Sequence, residues 1–179
     1  MRLSALFLLA SFAATAVCAP ACTGLAQRQG LQQLIKALTT GTDADIDAIP
    51  LANNVTVIMQ TQGLRVTVAK DLQGAHNGAR IIHRIVTGFG PAPEDINEYL
   101  DNGVNEAFVN GTLTAGLTAS ENVRLPLETM PATQSMLFDT TTCLAYYSVG
   151  TLEPVDGLVE TALNAFLMDQ FPLYEILDN

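Results

Sequence analysis

The residue types best suited to proton transfer are concentrated in one stretch of the chain. Both histidines, His76 and His83, lie between residues 75 and 88. Read as a helix, this stretch turns His76, Arg80, His83, Arg84 and Thr87 to one side, opposite a stripe of Ile81, Ile82, Ile85, Val86 and Phe89. Imidazole titrates near neutrality and serves as a general base, and the guanidinium fork binds carboxylates. His76 or His83 as base, with Tyr146 beside it, and Arg80 and Arg84 as ligand contacts are therefore the candidate chemical groups. The plainer alternative is a solvated basic face that pairs with the chain's own acids. The histidines stand seven residues apart, about 10.5 Å of helical rise, too far to share one metal ion.

Other chemistries leave no mark. The chain has no GxSxG, HExxH, CxxC, P-loop or dinucleotide fingerprint. Beyond residue 19 its serines are Ser120, Ser135 and Ser148, none in a nucleophile elbow. Asp43, Asp45 and Asp47 alternate, but the Gly and distant Glu of a calcium loop are missing, so an acidic loop or an Asp-capped helical turn is expected. No metal site and no cofactor are expected.

Charge narrows the partners. The formal net charge is −10, with 8 basic and 18 acidic side chains, which argues against nucleic acid, whose affinity comes from Lys and Arg. The charge is also segregated. Residues 20–92 carry six basic and four acidic side chains, whereas 93–179 carry only Arg124 against fourteen acids. Such a surface favours solubility or meets a basic protein partner.

Residues 1–19 read as a secretory signal peptide: Arg2, then LSALFLLASFAATAV, then Cys18-Ala19. The cut falls after 19, or after 21 in a second register, and the run is short for a membrane span. The mature chain from residue 20, a single domain to 179, then keeps two cysteines, Cys22 and Cys143. In an oxidising compartment these read as one disulfide that ties the new N-terminus to a late strand, two free thiols being the alternative. Asn54-Val55-Thr56 and Asn110-Gly111-Thr112 are N-glycosylation sequons, with Asn110 read as an exposed helix end. The expected localisation is extracellular.

These groups must be positioned by a mixed set of elements. Helical spacing is expected over 22–38, 75–88 and 93–110, and in a C-terminal amphipathic helix carrying Val155, Leu158, Val159, Ala162, Leu163 and Phe166. Residues 54–60 and 64–69 predict a hairpin about Thr61-Gln62-Gly63. Residues 111–150 are β-like, with 134–149 one bent strand or two, and the last residues pack back on the body. The fold class is α+β: helices packed on a small curved antiparallel sheet, with a C-terminal amphipathic helix.

Residues 31–69, with Ala37-Leu38 ending a helix, an Asp-containing turn, Pro50-Leu51-Ala52, a Val-rich strand and Gly63, resemble the opening of secreted SnoaL-like domains of the nuclear-transport-factor-2-like superfamily. The chain has Gln60-Thr61-Gln62-Gly63 where members show Glu-Asn-Gly, and it ends in a helix where they end in long curved strands. The resemblance implies a cone-shaped α+β fold with an apolar pocket, used in relatives for ligand binding or for isomerase and dehydratase chemistry. It assigns no catalytic residue after position 69.

The reading that follows is a secreted acidic binding module with an apolar pocket for a hydrophobic small molecule. The alternatives are a pocket enzyme of the isomerase or dehydratase type with a His base, and an effector or inhibitor that meets a basic protein partner through its acidic C-terminal half.

Overall fold

The computed structural model describes residues 22–90, 105–120 and 123–177. The expected signal segment with its cleavage site lies outside them, as does most of the helix expected over 93–110. The elements in chain order are α1 (Gly24–Thr40), α2 (Asp43–Asp47), β1 (Leu51–Gln60), β2 (Leu64–Ala69), α3 (Leu72–His83), β3 (Val86–Gly90), β4 (Glu106–Ser120), β5 (Val123–Phe138), β6 (Ala145–Leu152), α4 (Gly157–Gln170) and β7 (Tyr174–Ile176). The strands form one sheet in the order β3-β4-β5-β6-β1-β2-β7. Every pairing is antiparallel except β1 with β6, which is parallel because the chain returns to the centre of the sheet from a distant hairpin. The fold is the expected α+β one, and the single parallel pair makes its sheet mixed.

Curvature comes from register shifts at Val57/Ile58 in β1, Ala115/Gly116 in β4 and Leu137/Phe138 in β5. Each extra residue kinks its strand and increases the local twist. Strands β4 and β5 run to 15 and 16 residues, although long curved strands were expected as a point of difference from SnoaL-like domains. Here the terminal helix follows them.

Local chemistry sets the boundaries. Thr23 caps α1 by accepting from the Ala26 amide, and Gly41 ends it at φ 66°, with its N–H returned to Ala37 O. Thr42, rather than an Asp, caps α2 through the Asp45 amide. Helix α3 starts at Asp71, which accepts from the Gly74 amide, and stops at Arg84. The expected helix to residue 88 therefore breaks into helix and strand: Ile82 and Val86 are both buried, but Val86 pairs with Ala115 in the sheet. Residues 106–110 likewise belong to β4 and not to a helix. Ala107 and Val109 alternate inward there, and Asn110 is an exposed strand position.

The core has two clusters. One joins Leu31, Ile35, Ile49, Leu51, Met136 and Phe138, where α1 meets the sheet. The other joins Met59, Val66, Ile82, Leu113, Met130, Leu163 and Leu167, where α4 covers the opposite end. Leu38 and Phe89 touch both. Helix α4 buries Leu163 and Leu167 and leaves Leu158 outside, so its apolar stripe is rotated from the expected one. Thr61, buried at the hairpin turn, donates to Asn164 Oδ1 at 2.8 Å and ties β1 to α4. Residues 174–176 return to the sheet as an edge strand on β2.

Cys22 and Cys143 form a disulfide, with their Cα atoms 4.9 Å apart. Cys143 sits in the β5–β6 turn at φ 55° and not on a strand. Closing a loop of 121 residues contributes about 5 kcal/mol in the chain-entropy model. The turn is held by Asp139, whose Oδ1 accepts from the Thr142 and Thr141 amides and the Thr142 hydroxyl. Those bonds, led by the Thr142 amide, hold its carboxyl below the ordinary carboxylate range.

Candidate ligand-binding site

The two core clusters do not close on each other completely. Between them lies a cavity of about 70 Å³, bounded by Leu34, Ile35 and Leu38 of α1, Ala75, Ala79 and Ile82 of α3, and Phe89 and Leu113 of β3 and β4. The sheet forms its floor through Val57, Met59, Val68, Ala132, Gln134, Ser148, Gly150 and Leu152. Among the described residues its wall holds no Asp, Glu, His, Lys, Arg, Cys or Tyr.

Its polar end is built by two strands. On β5 the inward series is Met130, Ala132, Gln134, Met136 and Phe138, and on β6 it is Ser148, Gly150 and Leu152. The interruptions of both series meet, because Gln134 pairs with Gly150 and Met136 with Ser148. The two protons of Gln134 Nε2 are shared among Ser148 Oγ at 2.9 Å, Val149 O at 3.0 Å and Ser135 O at 3.1 Å. Two of these partners are carbonyls, which only accept, so the amide orientation is fixed and Oε1 is the remaining acceptor. Ser148 is 3% exposed and uses its oxygen to accept the amide. Its own proton remains for a further acceptor.

The residues singled out from the sequence lie elsewhere. His83 Nδ1 donates to Leu38 O at 2.8 Å, a bond whose direction follows from the carbonyl, and so caps the end of α1. His76 Nδ1 stands 3.3 Å from Asp47 Oδ1. Arg80 Nε donates to Asp43 at 2.8 Å, and its Nη2 is 3.7 Å from Asp47. Arg84 is the C-cap residue of α3. Tyr146 is 43% exposed on β6. None of these five lines the cavity. Of this face, His76 and Arg80 meet the acids Asp43 and Asp47 of α2. No group of three potential metal ligands occurs among the described residues.

Acids of the second half also have local partners. Glu128 Oε1 accepts from the Val155 and Asp156 amides, Asp156 caps α4 through the Leu158 amide, and Glu106 accepts from the Ser135 hydroxyl. Among the described residues no helix is long and apolar enough to cross a membrane.

Gln134, Ser148 and Gly150 were not singled out by the sequence reading. Their signal was present as breaks in an inward apolar alternation, and it became readable only with the β5–β6 register.

No family model and no curated protein matches this sequence. Solved structures match in fold. A protein assigned as a SnoaL-like polyketide cyclase from Jannaschia sp. CCS1 is 8% identical, with TM-score 0.52 over 78% of this chain and 91% of that one. The BvnE pinacolase from Penicillium brevicompactum is 7% identical, with TM-score 0.51 over 79% and 91%. A de novo designed protein with a curved β-sheet is 9% identical, with TM-score 0.52 over 80% and 96%. The chain therefore has the curved-sheet α+β fold of these solved structures. A designed protein carries it too, so what this chain does has to be argued from its own cavity.

Proposed function

We propose that the chain is a secreted binding module that holds a neutral, largely apolar small molecule in the cavity between α1, α3 and the sheet. The observation that carries this reading is the cavity wall, which is apolar apart from Thr39, Thr133, Gln134 and Ser148. A charged ligand would lose its hydration there without a partner. The volume is about half of the roughly 150 Å³ engineered cavity that accepts benzene. The occupant is a compact molecule, or one end of a longer one.

The fold likeness to cyclases and a pinacolase is compatible with isomerase-type chemistry. Binding is preferred because the described wall supplies no side chain that takes up or releases a proton near neutrality. An extracellular destination is supported by the signal-like residues 1–19, the Cys22–Cys143 disulfide, and the exposure of both sequon asparagines, Asn54 and Asn110.

Xenon tests the cavity directly, because it enters dry apolar voids. Saturable amide shifts around Ala79, Leu113 and Gly150 are expected under xenon pressure, and their absence would overturn the reading. Sequencing the N-terminus of protein recovered from the medium of a secreting host should begin at residue 20 or 22. Retention in the cell with Met1 in place would remove the extracellular part.

A further inference from the structure

Resting on the reading of the cavity as a ligand site, we infer that Gln134 and Ser148 select a ligand bearing a hydroxyl group. The inference starts from the atoms the fold leaves open. The Gln134 amide nitrogen is engaged by Ser148 Oγ, Val149 O and Ser135 O, and this turns Oε1 over Gly150 on the cavity floor. No described donor reaches Oε1. Beside it the Ser148 hydroxyl accepts from the same amide and keeps its proton. Apart from the hydroxyls of Thr39 and Thr133, the wall is otherwise apolar, and Gln134 and Ser148 present an acceptor and a donor side by side, joined through the same amide.

A hydroxyl oxygen answers both at once. It donates its proton to Gln134 Oε1 and accepts the Ser148 proton. A ketone or ether answers only Ser148, a hydrocarbon answers neither, and a carboxylate would face Oε1 with like charge and no cation in the described wall. Sites built to hydrogen-bond a ligand hydroxyl reject the analogue lacking it, because their own buried polar atoms are then left unpaired. Ser148 is therefore a specificity residue that touches the ligand, and Gln134 both touches it and positions Ser148.

The test uses the mature, disulfide-bonded chain and two compact probes of matched size, 2-propanol and isobutane, each of four non-hydrogen atoms, titrated against amide resonances. The wild type is expected to bind the alcohol about tenfold or more tightly than the hydrocarbon. Ser148→Ala should lower that ratio severalfold, because the alcohol loses a donor and the hydrocarbon no longer leaves one unpaired. Gln134→Met, which keeps length and volume, should lower the ratio at least as far, because it removes the acceptor and also the bond that positions Ser148. Equal or tighter binding of isobutane by the wild type overturns the hydroxyl selection and leaves the apolar site standing. Saturable binding of neither probe overturns both. An unchanged ratio in both variants removes these two residues from the selection.

Discussion

A Cβ placed on Gly150 would stand 2.9 Å from Gln134 Oε1, so the missing side chain at 150 is the space in which the glutamine amide lies. The relationship joins a strand glycine on β6 to the single glutamine of the inward β5 series. Gly150→Ala must push the amide aside, and with it the 2.9 Å bond to Ser148. Because the displaced atom is the end of a flexible side chain, the fold survives with a loss of about 1–2 kcal/mol. The expected signature is loss of the preference for an alcohol over its hydrocarbon twin, read by the same amide shifts, with the urea transition still cooperative.

Ala79 and Ala37 are both buried helical alanines, but only Ala79 borders the cavity. Ala79→Leu adds its carbons to a void and should change stability by no more than about 1 kcal/mol, while overpacking at Ala37 should cost about 1–3 kcal/mol. Urea midpoints check the contrast. Xenon shifts should vanish in Ala79→Leu and persist in Ala37→Leu. Equal destabilisation by both would mean the space beside Ala79 is already filled.

The two histidines support the helices, not the ligand. His83→Ala removes the donor to Leu38 O and should cost about 1 kcal/mol in stability. His76→Ala removes the contact with Asp47. Neither should alter the affinity for either probe by more than about twofold, since neither ring borders the cavity. A tenfold or larger loss of binding in either variant, with stability kept, would reopen the isomerase-type reading with a histidine base.

Asp45 links acid stability to the α1–α2 junction. Its carboxylate meets Lys36 Nζ at 2.6 Å and accepts from the Thr40 and Thr42 hydroxyls at 2.7 and 2.8 Å. The Lys36 bond first, then the two threonines, hold its pKa well below the usual carboxylate range. A carboxyl lowered in the folded state stabilises it above its unfolded value, near 4, and loses that contribution as pH falls toward the folded value. Wild type should therefore exceed Asp45→Asn in urea midpoint at pH 7. The gap should close progressively below about pH 4. A gap as wide at about pH 2 as at pH 7 would contradict this.

Much of the fold was legible because it is written in local chemistry. The spacing of Leu31, Leu34, Ile35 and Leu38 marks α1, and the alternation of Leu64, Val66 and Val68 marks β2. The pairing of Cys22 with Cys143 followed from reading residues 1–19, which hold the third cysteine, as a signal segment that is removed. Misreadings arose where two periods overlap. Ile82 and Val86 fit a helical stripe although a helix end lies between them, and Ala107-Phe108 fits one although Ala107 and Val109 alternate in a strand. The site was hidden for a different reason. A glutamine, a serine and a glycine look ordinary until the β5–β6 register sets 134 against 150, and no local rule fixes a register between strands joined by a turn of this length. Histidine and arginine drew attention through their chemistry, whereas the cavity is defined by where such residues are missing.

The most direct measurement is a crystal structure of residues 20–179 grown with saturating 2-propanol. The alcohol is expected between Ala79, Ile82, Leu113 and Gly150, with its oxygen within hydrogen-bond distance of both Gln134 Oε1 and Ser148 Oγ. A filled core with no ligand in it, or a ligand seated only on the outer surface of the protein, would contradict the assignment of this cavity as the binding site.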